Sequence, residues 1–258
     1  MVKIDPRAVV DGSAQLAPGV EVGAYAIIGP DVEVGQGTRI GPHVVIRGPT
    51  RIGRDCRIFQ FSSIGDDPQD KKYAGERTWL VIGDRNTIRE CCTLNRGTVQ
   101  DKGETRLGDD NWIMAYVHIA HDCVIGNQTV FANNASLAGH VEVGDYAVMG
   151  GFALVHQFCR IGAHSLLSFA SGTSQDIPPF VIAQGHRATP HGINAEGLKR
   201  RGFSPEEIAG VRRAYKALYR EDLKLQDAIQ RIREQVRTVP RLAILADFLT
   251  VPGRGIIR

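Results

Sequence analysis

From near its start, the chain places an aliphatic residue at every sixth position. The run is Ile4, Val10, Leu16, Val22, Ile28, Val34, Ile40, Ile46, Ile52, Ile58 and Ile64, with no member missing. Four positions after each comes a small side chain: Ala8, Ala14, Val20, Ala26, Val32, Thr38, Val44, Thr50, Cys56, Ser62. The period resumes at Ile82, Ile88 and Leu94, shifts register, and continues from Leu107 through Ile119, Ile125 and Phe131 to Leu167. A helix repeats apolar residues every 3.6 positions and a simple strand every two. A period of six instead marks a parallel β-helix. Each hexapeptide is a short strand and a turn, and three make a triangular rung of eighteen residues. Rungs stack about 4.8 Å apart through backbone hydrogen bonds. The aliphatic and small residues point inward, and each rung needs its neighbours to bury them.

Two stretches interrupt the period, "DDPQDKKYAGERTWLV" (about 66–81) and "GTVQDKGETR" (about 97–106). Loops this long are uncommon in compact domains and often functional. Asp70 and Lys72 place paired polar groups on the first. The repeat fades after about residue 178, and the rest reads as helices. Ser204, Pro205 and Glu207 form a helix-starting capping box, followed by the apolar stripe Ile208, Val211, Tyr215, Leu218. The predicted organisation is mainly β: a β-helix with two inserted loops over 1–190, then a helical domain over 191–258.

Composition narrows the class. The net charge of +3 is too small to point to nucleic acid. From residue 194 on there are fourteen Lys/Arg against eight Asp/Glu. A basic end suits an acidic partner. No apolar run approaches bilayer length, and "MVKIDPRAVV" lacks a secretory core, so no stable membrane insertion and a cytoplasmic location are expected. Five cysteines form no CxxC pair. Cys56, Cys92, Cys123 and Cys159 all fall in the small inward slot, where cysteine acts as a compact hydrophobe. Cys91 falls outside it and has no evident role.

Reading in columns of eighteen locates candidate chemistry. Residues 120–122 (Ala-His-Asp), 138–140 (Ala-Gly-His) and 156–158 (His-Gln-Phe) share one corner of successive rungs. If the second loop adds seven residues, Asn95, Arg96 and Gly97 fall in the same columns below. His118, His121, His140, His156, Asp122 and Gln157 thereby gather on one edge, with Arg96 a further candidate. A histidine can take a proton from a hydroxyl at neutral pH, and an adjacent carboxylate can fix its tautomer. A glycine one rung away offers an unobstructed N–H to an oxyanion. No serine or cysteine nucleophile is evident there, which favours direct attack by an acceptor hydroxyl on an acyl donor. A metal site is the competing reading, but His118 and His121 occupy different slots of the repeat and need not converge.

The stretches "QDKKYAGERT", "NRGTVQ", "HIAHDCVIGN", "NNASLAGHVEV", "VHQFCRIGAH", "INAEGLKRRGFS" and "RGIIR" cover the chain in order. On them the sequence closely resembles the UDP-N-acetylglucosamine acyltransferases that begin lipid A biosynthesis in Gram-negative bacteria. The resemblance implies a left-handed β-helix and a homotrimer with active sites between neighbours. It implies transfer of an (R)-3-hydroxyacyl group from acyl carrier protein, which carries it on phosphopantetheine, to the glucosamine 3-OH of UDP-N-acetylglucosamine, with no cofactor and no metal. Carried onto this chain, His121 is the general base, Asp122 its partner and Gly139 the oxyanion donor. His118, His140, His156 and Gln157 position sugar and acyl groups. Gln69, Asp70 and Lys72 contact substrate, and Asn194, Glu196, Arg200 and Arg201 serve the nucleotide and diphosphate.

Three departures stand out. Asn95 replaces the histidine of the common "HRGT". "GHRATP", with His186 and Arg187, replaces "GNHATP". Phe169 stands where a small residue admits long acyl chains, which predicts a shorter hydroxyacyl chain. Three alternatives stay open on the sequence: N-acylation of a 3-amino UDP-sugar at the same site, a zinc-dependent hydratase or lyase, and a non-catalytic β-helix scaffold.

Overall fold

The computed structural model describes residues 1–258. Its strands wind into a left-handed prism with three faces. Face 1 begins at Lys3–Ile4, face 2 at Val9–Val10 and face 3 at Gln15–Leu16, and they carry eleven, nine and eight strands. Pairing is parallel throughout the prism, and only the last pair, Val181–Gln184 with Thr189–Ile193, is antiparallel. The period-six aliphatics stack in register. On face 1 the column runs Ile40, Ile58, Ile88, Ile113, Phe131, Met149, Leu167. One continuous core of 42 buried residues fills the prism and reaches Tyr215 and Ile257 of the C-terminal part. Cys56, Cys92, Cys123 and Cys159 are fully buried in it. Burial pushes their thiols up, to about 11 for Cys56 and about 12 for Cys123, so they are inert packing groups.

At most corners one residue turns the chain with a positive φ. Nineteen of these are not glycine, among them Tyr25, Tyr116, Asp122, His140 and Phe158. That conformation costs a side-chain-bearing residue roughly 1–2 kcal/mol. The corner hydrogen bonds help offset it. His140 N–H donates to the His121 carbonyl one rung below (3.0 Å), and Phe158 N–H to that of Gly139 (3.1 Å). Corners are therefore laddered like strands, and side chains at one corner slot stand in a column.

The insertions are shorter than the sequence suggested. Strands claim Ser63–Asp66 and Trp79–Ile82, then Thr93–Asn95 and Glu104–Leu107, leaving 67–78 and 96–103 outside them. Both leave the prism at the edge between faces 2 and 3. Leu94 pairs with Ile119, twenty-five residues on, so the second loop adds the expected seven to the rung.

The last strand runs to Ile193, so residue 190 lies inside the closing hairpin. Four helices follow: α1 (Ala195–Arg200), α2 (Pro205–Tyr219), α3 (Leu225–Val236) and α4 (Ala243–Thr250), around a second core of fourteen buried residues. The capping box of α2 forms, with Glu207 N–H donating to Ser204 Oγ (3.2 Å) and Ser204 N–H to the Glu207 carboxylate (2.8 Å). Ile208, Val211, Tyr215 and Leu218 are buried. The two cores are tied at Arg160. Its guanidinium donates to buried Asp176 (2.8 and 3.0 Å) and to the Val251 carbonyl (3.0 Å), and lies 4.4 Å over the Phe248 ring. The chain end pairs there too, with Ile257 N–H donating to the Asp176 carbonyl (3.0 Å). No helix is long and apolar enough to cross a membrane.

Candidate active site

His121 and Asp122 sit between His118–Ile119 of face 2 and Val124–Ile125 of face 3. Asp122 takes the positive-φ corner slot, which turns its carboxylate beside the preceding imidazole. His121 Nδ1 lies 2.8 Å from Asp122 Oδ2. The Asp122 side chain is completely buried, yet both oxygens are satisfied: Thr98 N–H donates to Oδ1 (2.8 Å) and Thr98 Oγ to Oδ2 (2.7 Å). Burial pushes this carboxyl up, but the hydrogen bonds from His121 and Thr98 outweigh it and hold it below its usual value. An ionised Asp122 accepts only, so His121 carries its proton on Nδ1 and leaves the Nε2 lone pair free.

One rung up, the His121 ring lies flat against Gly139. A Cβ at that glycine would come within 2.6 Å of His121 Cε1, so only glycine fits there. The Gly139 N–H donates to no backbone or side-chain acceptor. His140 meets His121 edge-on at 5.1 Å between centroids and stacks on Phe158 at 4.4 Å. Its Nδ1 lies 2.8 Å from Asp101 of the second loop. His118 is on the outer side of face 2, with Nδ1 2.7 Å from Thr93 Oγ. Burial, and then neighbouring His121, hold the His118 imidazole below its ordinary value. His121, Asp122 and His140 are also the one group of donors close enough to share a metal ion.

The other expected residues scatter more widely. His156 is exposed two rungs above Ala120, its Nδ1 3.3 Å from the Gln157 carbonyl, and Gln157 is exposed beside it. His156, Leu154, Thr173, His186 and Arg187 line a cleft of about 310 Å³. Arg96 does sit in the column below His121 but turns away from it. Its guanidinium donates to the Gly65 carbonyl (2.6 Å), Asp67 and the Tyr73 hydroxyl (2.9 Å), anchoring the first loop. Asn95 Nδ2 does the same work, donating to the Asp67 carbonyl (2.7 Å). Gln69 and Lys72 are exposed on that loop, and Asp70 Oδ1 accepts from Lys72 N–H (3.0 Å). None of the three reaches the histidine cluster.

Asn194, Glu196, Arg200 and Arg201 lie at the edge between faces 3 and 1. Asn194 caps α1, accepting from Gly197 N–H (3.1 Å) and donating to the His164 carbonyl (2.9 Å). Glu196 pairs with Lys199 (2.7 Å), and Arg200 is exposed. Arg201 donates to Gln128 Oε1 (3.1 Å) and lies 4.7 Å over Tyr146. Gln128 belongs to the same turn of the prism as His121, so Arg201 stands level with His121 but across the width of face 3. Phe169 is 71% exposed at the edge between faces 1 and 2, edge-on to Phe152.

Comparison with known proteins decides the family. The family model for UDP N-acetylglucosamine O-acyltransferase, domain 2, matches residues 176–257, and the bacterial transferase hexapeptide model matches 104–139. The acyl-[acyl-carrier-protein]–UDP-N-acetylglucosamine O-acyltransferases of Janthinobacterium sp. and Thiobacillus denitrificans are each 61% identical, over the whole of both chains. The chain belongs to the UDP-N-acetylglucosamine O-acyltransferase family. It is an acyltransferase. The solved structure of the family member from Moraxella catarrhalis is 43% identical, covers 99% of each chain and superposes with a TM-score of 0.97.

Sequence reasoning missed Thr98 and Asp101. Both ride on the second loop and fold back onto the corner, Thr98 to the carboxylate and Asp101 to His140. The available signal was register. Gly97 falls directly below Asp122 once the loop is counted as seven residues, with Thr98 next along the chain.

Proposed function

We propose that this enzyme transfers an (R)-3-hydroxyacyl chain from acyl carrier protein to the 3-hydroxyl of UDP-N-acetylglucosamine, the opening step of lipid A assembly in the cytoplasm. The observation that carries this reading is the His121–Asp122 pair beneath an unpartnered Gly139 amide. His121 Nε2 takes the proton as the sugar oxygen attacks the thioester carbonyl. Asp122 stabilises the imidazolium through Nδ1–H. Gly139 N–H donates to the carbonyl oxygen as it gains negative charge. Collapse breaks the C–S bond, and the departing phosphopantetheine thiolate takes the proton back from His121. No other group needs to enter, so the reading calls for no cofactor or metal.

The working unit in this reading is a homotrimer. Exposed apolar groups concentrate on faces 1 and 2 (Val9, Ile27, Trp112, Leu154) and on their shared edge (Tyr25, Phe61, Tyr116, Phe152, Phe169). The outward residues of face 3 include Gln15, Glu33, Arg51, Arg106 and Glu142. Exposed apolar surface of this extent is an interaction surface. With the 1–2 edges around a three-fold axis, face 2 of each copy opposes face 1 of the next. That brings the histidine edge of one copy against the Arg201 edge of its neighbour. His118, His140, His156 and Gln157 then hold sugar and acyl groups. Arg200 and Arg201 of the next copy meet the diphosphate by charge and geometry, with Asn194 and Glu196 beside them, and Gln69, Asp70 and Lys72 close over the substrate. The acyl chain runs inward between faces toward Phe169, whose ring shortens the groove.

Turnover of UDP-N-acetylglucosamine with a panel of hydroxyacyl carrier proteins tests the reading, alongside the 3-amino acceptor. His121→Ala should lower turnover on the order of 10²–10⁴-fold with the melting temperature kept. Near-normal turnover in that variant removes His121 as the base.

A further inference from the structure

The second loop carries a carboxylate that the acid–base chemistry of His121 does not use. Asp101 Oδ2 lies 2.8 Å from His140 Nδ1. Its place is set at Thr98, whose carbonyl accepts from the N–H groups of Asp101 (3.4 Å) and Gly103 (3.0 Å). Thr98 is itself fixed to the buried Asp122 carboxylate. Lys102 then pairs with Glu142 (3.2 Å), close to His140 along the chain. The loop therefore spans two rungs. It leaves the prism below His121, meets Asp122, and ends against the rung of His140.

His140 needs that contact. Its ring stacks on Phe158 with centroids 4.4 Å apart and planes 12° apart, and meets His121 edge-on. Packing of this kind fixes the plane of an imidazole but not the positions of its nitrogens. A half-turn about Cβ–Cγ exchanges nitrogen for carbon at nearly the same volume, and only hydrogen bonds choose between the two. Asp101 is the one hydrogen-bonding partner of this ring. Nε2 lies 3.8 Å from Asp122 Oδ2, beyond hydrogen-bonding distance. With Nδ1–H donated to Asp101, Nε2 is turned toward His121 and Asp122 and is left without a partner. His121 and His140 are thus two carboxylate-paired imidazoles on neighbouring rungs, and Thr98 ties both pairs to one loop.

We propose that Asp101 is a positioning residue for the acceptor sugar: by accepting from His140 Nδ1 it presents His140 Nε2 to a sugar hydroxyl. A hydroxyl can donate or accept, so it satisfies Nε2 whether or not that atom carries a proton. This role rests on His140 contacting the sugar in the proposed function. Asp101 acts through His140 alone, so its loss should weaken binding of the acceptor rather than slow the chemical step.

Steady-state kinetics of Asp101→Ala and Asp101→Asn, with side-chain NMR of His140 in the full chain, test this. Asp101→Ala should raise KM for UDP-N-acetylglucosamine about tenfold, the scale of one lost charge-assisted hydrogen bond, with kcat changed by less than about threefold. Asp101→Asn keeps a carbonyl acceptor for Nδ1–H and should stay within about threefold of the parent. The Nδ1–H proton of His140, shielded from exchange by its partner, should be visible in the parent and in Asp101→Asn and lost in Asp101→Ala. That signal needs no substrate. A parent chain that does not turn over UDP-N-acetylglucosamine would therefore sink the proposed reaction while the NMR comparison still decides whether Asp101 orients the ring. A parent-like KM in Asp101→Ala, a loss confined to kcat, an unchanged Nδ1–H signal, or an Asn variant as impaired as the Ala one overturns the role of Asp101.

Discussion

The prism has two edges built on the same backbone slot and filled with opposite side-chain chemistry. At the 2–3 edge the positive-φ column holds Asp122, His140 and Phe158, and at the 1–2 edge it holds Tyr116, Asn134 and Phe152. Five of these six corner N–H groups donate to a backbone carbonyl one rung below, and only Asp122 departs, donating to Thr105 Oγ (2.8 Å). Backbone geometry therefore separates the polar edge from the apolar one at a single residue. What differs is what the rungs beneath supply. Below His121 the chain inserts a loop that folds back and saturates the Asp122 carboxylate through Thr98. Below Tyr116 it inserts nothing, and exposed rings face outward. A buried ionised carboxylate needs such donors, because an unpaired one would neutralise.

The largest expected effect comes from breaking the polar edge. Asp122→Asn keeps the volume but presents an amide to His121 Nδ1, so the ring loses its partner for the imidazolium and is free to take the wrong tautomer. Turnover should fall on the order of 10²–10⁴-fold, the range seen when a base or its orienting carboxylate is disabled. The melting temperature should fall as well, because Thr98 Oγ–H and N–H both address this carboxylate. A loss in stability without a loss in turnover would make Asp122 a purely structural clamp.

Charging the apolar edge should act differently. In the proposed trimer, Tyr116→Glu with Phe152→Glu places like charges from three copies around the axis. Light scattering should show monomers, and turnover should collapse with assembly while each prism keeps its strand signal by circular dichroism. A charged edge that still elutes as a trimer would move the interface elsewhere. A subtler change on the same edge is Phe169→Gly. If the proposed acyl groove ends at this ring, opening it should shift preference toward longer hydroxyacyl chains by about tenfold per pair of methylenes, within the energy that apolar burial supplies. Preference already at the longest chain, unaltered by the glycine, would show that the ring swings aside.

How far each edge could be read in advance follows from how local its determinants are. The inward slots, the four core cysteines and the column register are set by chain spacing alone, so Ile119, Cys123 and the meeting of His121 with Gly139 were legible, as was the capping box at Ser204. Thr98 and Asp101 were not, because loop residues return to the corner only after the loop folds. Arg96 shows the converse. Its column was right, but a side chain that satisfies Gly65, Asp67 and Tyr73 is buried under the first loop, and spacing says nothing about which way it turns. Asn194 is similar: an asparagine just before a helix is a natural cap, and its amide is committed to Gly197 and His164.

The third edge, between faces 3 and 1, supplies the smallest and cleanest test, because its histidine lies outside the chemistry. His164 stacks between Tyr146 (4.6 Å) and Phe180 (5.7 Å). Burial first, and then the positive charges of Arg201 and Arg241, push its imidazole down to about 4. A folded-state value below the unfolded one means the unfolded chain binds the extra proton. The contribution of the neutral ring is thus complete above about pH 6.5 and is lost as pH falls through 4. Relative to His164→Phe, which keeps the aromatic stack and does not titrate, the parent chain should lose on the order of 2–3 kcal/mol between those limits. Melting curves of both proteins across that range measure the difference directly. Parallel curves would mean that the stack opens to water and that the edge holding Arg201 is looser than its packing implies.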